Sequence, residues 1–95
     1  MKYTLSNKAE EDLREIYRYT HLKFGDVQAD AYFTGLDESL CLLAENISMA
    51  QKVDDLRPGY YRYYYQKHAV YFVEKKKYIL VIRVLHQQMK PQLHL

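Results

Sequence analysis

The chain has 95 residues, a formal net charge of +2 and one cysteine, and these numbers limit what it can be. We expect a single domain over residues 1–95, since a chain of this length builds one hydrophobic core. Cys41 cannot form an internal disulfide, the first residues lack the apolar core of a signal peptide, and no run of about 20 apolar residues could cross a bilayer. These features predict a soluble cytoplasmic protein without a membrane partner.

Charge is divided unevenly along the chain. Residues 1–55 contain eleven Asp or Glu against six Lys or Arg, whereas residues 56–95 contain a single acid, Glu74, against eight Lys or Arg. This division indicates a basic surface in the C-terminal part, which suits nucleic acid or an acidic protein. A role in solubility alone is the other interpretation.

Two amphipathic helices are predicted in the N-terminal half, after a short β-compatible segment over Met1 to Leu5. Ser6 is a candidate N-cap, and apolar residues then recur at spacings of three and four up to about Lys23. Phe24-Gly25-Asp26 breaks this helix, and a second apolar stripe follows. The stripes consist of Ala9, Leu13, Ile16, Tyr17 and Thr20, then Ala29, Tyr32, Phe33, Leu36, Leu40 and Leu43. Helices joined so closely form an αα-hairpin.

The C-terminal half predicts three strands after a connecting loop. Residues 46–59 lack a sustained period and contain Pro58-Gly59, which is typical of a loop. The predicted strands are Tyr60 to Gln66, Ala69 to Val73 and Tyr78 to Leu85. The tail from His86 to Leu95 contains Pro91 and is predicted to end loosely. The order β-α-α-β-β-β predicts an α+β fold, with the helical hairpin packed on one face of a small, mainly antiparallel sheet.

The run of tyrosines in the first of these strands has two interpretations. Strand alternation sends Tyr61, Tyr63 and Tyr65 to one face and Tyr60, Arg62 and Tyr64 to the other. Exposed tyrosines could stack on nucleic-acid bases, but aromatic side chains in a strand more often pack in a core. We therefore expect at most one of the two sets to be exposed.

Several short motifs occur together in the C-terminal half: Leu56-Arg57-Pro58-Gly59-Tyr60, His68 with Val70-Tyr71-Phe72, Ile82-Arg83-Val84-Leu85-His86, Met89, and His94-Leu95. In this order they resemble the ParE branch of the RelE/ParE toxin–antitoxin superfamily. The resemblance implies a toxin of a type II toxin–antitoxin module that inhibits DNA gyrase, and hence replication, by binding it. It also implies a co-encoded ParD-like antitoxin that wraps the toxin. The toxin would then contact operator DNA only through that antitoxin.

One segment departs from the family pattern. Members commonly continue after the strand-ending His with an Arg-Met-Asp element, whereas this chain has Gln88-Met89-Lys90. The missing Arg and acid leave open whether the protein is an active toxin or an inactivated one that retains antitoxin binding.

Two sets of residues are predicted to contact macromolecules. The target-binding set in the basic half is Arg57, Arg62, Arg83, His86, Met89, His94 and Leu95. The antitoxin-binding set is Leu13, Tyr17, Tyr32, Tyr63 and Tyr71, in a groove expected between the apolar helix faces and the sheet. For Arg83 a structural ion pair with an acid of the helices is an open alternative, because a guanidinium in an apolar strand is costly unless paired.

The RelE-like relatives are ribosome-dependent RNases, so an mRNA interferase is the alternative function. That chemistry needs a base, cations for the phosphorane and an acid for the leaving oxygen, and the candidates are Arg62, Arg83 and His86. Arg83 and His86 lie three residues apart, so an ideal strand points them to opposite faces. This spacing weakens a catalytic role for the pair, and the resemblance to ParE implies a binder rather than an enzyme. The sequence also predicts no metal site and no cofactor, since it lacks closely spaced ligands and glycine-rich loops.

Overall fold

A computed structural model of the chain describes residues 2–95, and Met1, which the predicted first strand included, lies outside the described residues. The elements are β1 (Lys2–Leu5), α1 (Asn7–Phe24), α2 (Asp26–Glu45), β2 (Gln51–Lys52), β3 (Tyr60–Tyr65), β4 (His68–Glu74) and β5 (Tyr78–His86). Short 3₁₀ turns lie at Ile47–Met49 and Pro91–Leu93. The α+β prediction is confirmed, with one addition: the segment predicted as a loop over residues 46–59 contains the two-residue strand β2.

The helical hairpin begins and turns where the sequence predicts. The Ser6 hydroxyl accepts a hydrogen bond from the backbone N–H of Ala9 and so caps α1. Gly25 lies between the helices with a φ of 91°, which glycine adopts without a Cβ clash. At this residue the chain leaves α1 and enters α2 without any intervening loop.

The sheet has the strand order β1-β5-β4-β3-β2. β1 runs parallel to β5, and the other neighbours are antiparallel. The two longest strands, β4 and β5, therefore lie at the centre of the sheet. The apolar run that forms β5 is paired on both sides along its first half, as predicted for a central strand.

Each face of the sheet carries its own apolar cluster. The inner face, on the side of the helices, contains Val70, Phe72, Ile79, Val81 and Val84, which pack with Ala9 of α1 and with residues of α2 such as Leu36 and Leu43. The outer face carries a smaller cluster of Val53, Ala69, Tyr71 and Leu85. Tyr61, Tyr63 and Tyr65 pack against the inner cluster, whereas Tyr60 packs against the outer one, which confirms the predicted alternation of the tyrosines.

A register shift in β5 decides which side chains face the helices. Tyr71 pairs with Arg83, but the next residue of β4, Phe72, pairs with Val81, so Ile82 is an extra residue in β5. Without such a bulge, Val81 and Arg83 would point to the same face, since strand side chains alternate. The bulge leaves Val81 in the inner cluster and removes Arg83 from it.

The C-terminal segment, residues 87–95, is more ordered than the predicted loose tail. The backbone N–H of Gln87 donates to Lys67 O at 2.9 Å, and the N–H groups of His94 and Leu95 both donate to Pro91 O at 3.0 Å. Leu95 packs against the outer cluster. The tail therefore folds back across the sheet, because Tyr71 and Leu85 offer apolar surface there.

No helix among residues 2–95 is both long and apolar enough to span a membrane.

Candidate functional site

Arg83 lies at the edge of β5, between α1 and the C-terminal segment, and bonds to both. Its Nε donates to Asp12 Oδ2 at 2.8 Å, and its Nη2 donates to Asp12 Oδ1 at 2.9 Å. The third guanidinium nitrogen, Nη1, donates to the carbonyl oxygen of His94 at 3.0 Å. One side chain thus links a helix, a strand and the tail.

Asp12 completes this arrangement from the helix. Its Oδ2 also accepts a hydrogen bond from the backbone N–H of Val84 at 3.0 Å, where β5 extends beyond its pairing with β1. The side chains of Arg83 and Asp12 are only 16% and 14% exposed, and the hydrogen bonds that Arg83 donates to Asp12 raise the pKa of Arg83. The predicted structural ion pair of Arg83 is therefore present.

Two arginines of the outer face lie against tyrosine rings. The guanidinium of Arg57 is 5.6 Å from the centre of the Tyr60 ring, and that of Arg62 is 5.1 Å from the centre of the Tyr64 ring. Such contacts hold a planar guanidinium beside an aromatic face. Arg62 Nη2 donates to Gln51 Oε1 at 3.2 Å, whereas its buried Nε has no hydrogen-bond partner among residues 2–95.

The C-terminal segment presents two apolar side chains to solvent. Leu93 is 76% exposed and Met89 is 38% exposed, whereas Leu95, two residues further along, packs on the outer cluster. The 3₁₀ turn at Pro91–Leu93 causes this contrast, since it places neighbouring leucines in opposite environments. The outer surface therefore combines stacked cations with an ordered apolar projection.

A groove with a volume of about 590 Å³ opens on the opposite side, between the hairpin and the C-terminal end of the sheet. It is lined by Glu15, Ile16, Tyr19, Thr20, Lys23 and Phe24 of α1, Gln28 and Tyr32 of α2, and Gln66, Lys67, His68 and His86 of the sheet. Tyr19 and Phe24 are 60% and 58% exposed. The groove thus has aromatic walls and two lysines.

Two histidines and a tyrosine lie at the bottom of the groove. Tyr32 Oη and His68 Nδ1 are 2.6 Å apart, and the rings of His68 and His86 meet edge to face at 5.6 Å. Burial, and then the neighbouring His86, lower the pKa of His68 below its ordinary value. Burial also raises the pKa of Tyr32, so its hydroxyl keeps its proton, and it shares a hydrogen bond with His68 whose direction depends on the tautomer of the imidazole.

Comparison with known proteins identifies the family. The family model described as the ParE toxin of the type II toxin–antitoxin system parDE matches residues 3–91. The chain belongs to this family. It is 36% identical over 93 residues to Toxin ParE1 of Caulobacter vibrioides, covering 98% of this chain and 96% of that protein. It is 34% identical over 89 residues to Toxin ParE1 of Mycobacterium tuberculosis, covering 93% of this chain and 91% of that protein.

The fold is also that of a solved structure titled as a chromosomal ParDE system from P. aeruginosa. The TM-score is 0.76, at 20% sequence identity, with 90% of this chain and 95% of that chain covered. The protein is thus a ParE toxin of a type II toxin–antitoxin system, and an antitoxin is its partner. Both conclusions agree with the resemblance found in the C-terminal motifs.

The structure brings most of the predicted target-binding residues to the outer side. The guanidinium of Arg83 is engaged by Asp12 and His94 O, and Leu95 is partly buried, so these two contribute packing as well as surface. Arg57, Arg62, Met89 and His94 lie on the same side of the sheet or in the segment that covers it. His86 is separate, since it lines the groove on the helix side.

The structure brings together only part of the predicted antitoxin-binding set, since Leu13, Tyr32 and Tyr63 all belong to or pack against the inner cluster. Tyr32 lines the groove, Leu13 and Tyr63 pack against the inner cluster, and Tyr17 is exposed with its hydroxyl donating to Asp30. Tyr71 lies on the other face of the sheet and is buried in the outer cluster. Strand alternation explains the separation, because Tyr63 and Tyr71 belong to opposite faces.

The three candidate RNase residues do not converge either. Arg62, Tyr71 and Arg83 are cross-strand neighbours in the register of β3, β4 and β5, whereas His86 pairs with His68 on the inner face. His86 Nδ1 accepts a hydrogen bond from the backbone N–H of Gln88 at 3.1 Å. Residues 2–95 also contain no group of three or more His, Cys, Asp or Glu that could hold a metal ion.

Sequence reasoning missed Asp12 and the aromatic walls of the groove. Asp12 lies one helical turn from both Ala9 and Ile16, but Glu10 lies one turn from Leu13 of the same stripe, so the sequence did not single out Asp12. Tyr19 and Phe24 lie near the end of α1, and the spacing of apolar residues does not predict that they are exposed. The groove depends on how the hairpin meets the sheet.

Proposed function

We propose that the protein inhibits DNA gyrase by binding it, and that it does so with the C-terminal segment and the basic outer face. The observation that carries this proposal is the exposure of Met89 and Leu93 in a segment whose last residue, Leu95, packs on the outer cluster together with Tyr60, the tyrosine beside Arg57. Arginine and tyrosine are enriched among the residues that dominate binding energy at interfaces, and methionine is enriched in interface cores. The site of action is the cytoplasm.

The geometry supports a binder rather than a nuclease. General acid–base cleavage requires the reacting groups to lie within hydrogen-bond reach of one substrate position. Arg83 and His86 lie on opposite faces of the sheet, and Asp12 and His94 already engage the guanidinium of Arg83. Arg83 and His86 therefore do not form an acid–base pair within reach of one substrate position.

The antitoxin in this proposal is ParD-like, and its segment lies in the groove between the hairpin and the sheet. Lys23 and Lys67 favour acidic side chains of the antitoxin, while Tyr19 and Phe24 favour apolar ones. Operator DNA is contacted only through the antitoxin. The two binding surfaces lie on opposite sides of the sheet, so the antitoxin can neutralise the toxin by wrapping it rather than by filling a single shared site.

Purified gyrase provides the test of the target. We expect the protein to inhibit supercoiling, and the double variant Met89→Ser/Leu93→Ser to require roughly tenfold more protein, the effect of losing one strong interface contact. These side chains are exposed, so the double variant remains folded. Deletion of residues 87–95 is a less clean test, because it also uncovers Tyr71 and Leu85.

Ribosome-bound mRNA provides the control for the alternative function. His86→Gln should leave gyrase inhibition nearly unchanged, since glutamine can also accept the hydrogen bond from Gln88 N–H. A nuclease that used His86 as acid or base would lose ~10²–10⁴-fold in rate on this change. Codon-specific cleavage that disappears in His86→Gln, with supercoiling unaffected by the parent protein, would establish the nuclease instead. Antitoxin binding without either activity would identify an inactivated toxin.

The affinity for the antitoxin encoded beside the toxin gene should depend on salt. Exposed charges such as Lys23 and Lys67 are screened beyond about 8–10 Å at physiological ionic strength, so the dissociation constant should rise with salt. Calorimetry at several salt concentrations measures this, and Lys23→Gln/Lys67→Gln should flatten the dependence. A dissociation constant that does not change with salt contradicts the electrostatic part of the proposal.

A further inference from the structure

The guanidinium of Arg83 bonds through all three of its nitrogens, and the third bond is unlike the other two. The bonds from Nε and Nη2 join β5 to Asp12 of α1 and so belong to the fold. The bond from Nη1 holds a backbone oxygen of the C-terminal segment, at His94. A lysine could keep the charge next to Asp12 but cannot make this forked set of bonds to two partners.

Leu95 holds the same segment from the next residue. It packs against the outer cluster of Val53, Ala69, Tyr71 and Leu85, while its N–H donates to Pro91 O at 3.0 Å. The segment is therefore held at His94 by a hydrogen bond and at Leu95 by apolar packing. Between these contacts and β5, Leu93 and Met89 remain 76% and 38% exposed.

We infer that Arg83 is a positioning residue, which together with Leu95 holds the C-terminal segment so that Met89 and Leu93 can contact the target. The inference rests on the proposed function, because it assumes that this segment binds gyrase. A segment that is ordered before binding loses less conformational freedom in the complex, and it therefore binds more tightly. Arg83 acts on the target through the backbone of His94, not by touching it.

The first test compares Arg83→Lys with Ser6→Ala in the supercoiling assay. Ser6 also joins α1 to β5, since its hydroxyl donates to Ile82 O at 2.7 Å and caps Ala9 N–H, but it has no contact with the tail. Ser6→Ala thus controls for a weakened junction between helix and strand. We expect Arg83→Lys to raise the half-inhibiting concentration roughly tenfold, the loss associated with a strong interface contact. Ser6→Ala should leave it unchanged.

The second test approaches the segment from its other contact. Leu95→Ala should raise the half-inhibiting concentration as Arg83→Lys does, although it leaves the ion pair with Asp12 intact. Hydrogen exchange followed by NMR measures how well the segment is held in place. The N–H groups of Leu93, His94 and Leu95 donate to Lys90 O or Pro91 O, so their exchange rates report whether these bonds stay formed. Exchange at these amides should accelerate in Arg83→Lys and Leu95→Ala, and remain slow in Ser6→Ala.

The outcomes separate the inference from the proposed function. If Met89→Ser/Leu93→Ser inhibits gyrase as well as the parent, the segment does not contact the target, and both proposals are wrong. If that double variant loses inhibition while Arg83→Lys and Leu95→Ala retain it, the positioning role alone is wrong. If Ser6→Ala and Arg83→Lys both lose inhibition, and each loss matches the drop in that variant's thermal unfolding midpoint, Arg83 only stabilises the fold.

Discussion

The inner face of the sheet is covered by two helices of 18 and 20 residues, whereas the outer face, among residues 2–95, is covered only by the loop after β2 and the C-terminal segment. The inner cluster contains Phe72 and Ile79 together with Leu36, Leu40 and Leu43, all nearly inaccessible to solvent. The outer cluster has four buried residues, and Leu56, Tyr60 and Leu95 at its border are only partly buried.

This difference separates the face that provides most of the stability from the face that we propose binds gyrase. Burial of large apolar side chains on the inner face provides most of the driving force for folding. The outer cover buries less apolar area, so changes there should cost less stability and affect the presentation of the C-terminal segment more. Asp12 and Arg83 connect the two regions at the edge of β5. Variants on each face can therefore test whether the two faces differ in their contribution to stability.

The largest loss of stability is expected from truncation in the inner cluster. Leu36 is 2% exposed and Leu43 is 0% exposed, and both belong to the apolar stripe of α2. Leu36→Ala or Leu43→Ala should lower the free energy of unfolding by about 2–5 kcal/mol, because the cavity cannot collapse completely. Urea denaturation measures this value. A midpoint equal to that of the parent would contradict the assignment of the inner core.

A smaller loss is expected at the connection between the two regions. Asp12→Ala removes the acceptor for Arg83 Nε, Arg83 Nη2 and Val84 N–H. The free energy of unfolding should fall by roughly 1.5–3 kcal/mol, the range for hydrogen bonds to charged groups. If the double variant Asp12→Ala/Arg83→Met is no less stable than Asp12→Ala, the cost comes from the unpaired guanidinium. Exactly additive losses would show that the two residues do not interact.

The C-terminal segment that covers the outer face should contribute less to stability than the pair of Asp12 and Arg83. Leu95→Ala should lower the free energy of unfolding by about 1–2 kcal/mol, since Leu95 is only partly buried against Tyr71 and Leu85. Its effect should add to that of Leu36→Ala, because the two leucines lie on opposite sides of the sheet. A Leu95→Ala cost as large as that of Leu36→Ala would mean that the outer cluster is part of the main core.

The smallest expected effect is a dependence of stability on pH from His68. Its pKa is lowered in the folded protein, so the unfolded chain binds more protons as pH falls below the ordinary pKa of 6.5. Stability should therefore be retained above that pH and decline as the pH drops through the lowered pKa. The groups that face His68 are Tyr32 of α2 and His86 of β5, with Glu15, Lys23 and Lys67 around the groove.

His68→Gln isolates this contribution from the other titrating groups. Denaturation midpoints between about pH 8 and about pH 5, the range over which histidine changes charge, should show a shallower decline in His68→Gln than in the parent. Asn46→Gln, an exposed amide change outside the groove, serves as the control and should follow the parent. Identical profiles for all three proteins would exclude His68 as the source.

Local patterns in the sequence determined the elements and their faces. The spacing of apolar residues gave both helices, and Gly25 marked the turn between them because its φ of 91° suits glycine. Strand alternation separated Tyr61, Tyr63 and Tyr65 from Tyr60, and placed Arg83 and His86 on opposite faces. These features depend on residues that are close together in the sequence, so they can be predicted from the sequence alone.

Contacts between distant residues were decided only by the tertiary structure. Asp12 and Arg83 are 71 residues apart in sequence, and several acids of α1 could have been the partner. The bulge at Ile82 shifts the alternation of β5 and moves Arg83 away from the inner cluster, although no glycine marks the position. The C-terminal segment, which looks loose in sequence, is ordered because Leu95 finds apolar surface on Tyr71 and Leu85. Each of these features depends on which surfaces meet after the hairpin has packed on the sheet, and local periodicity carries no information about that.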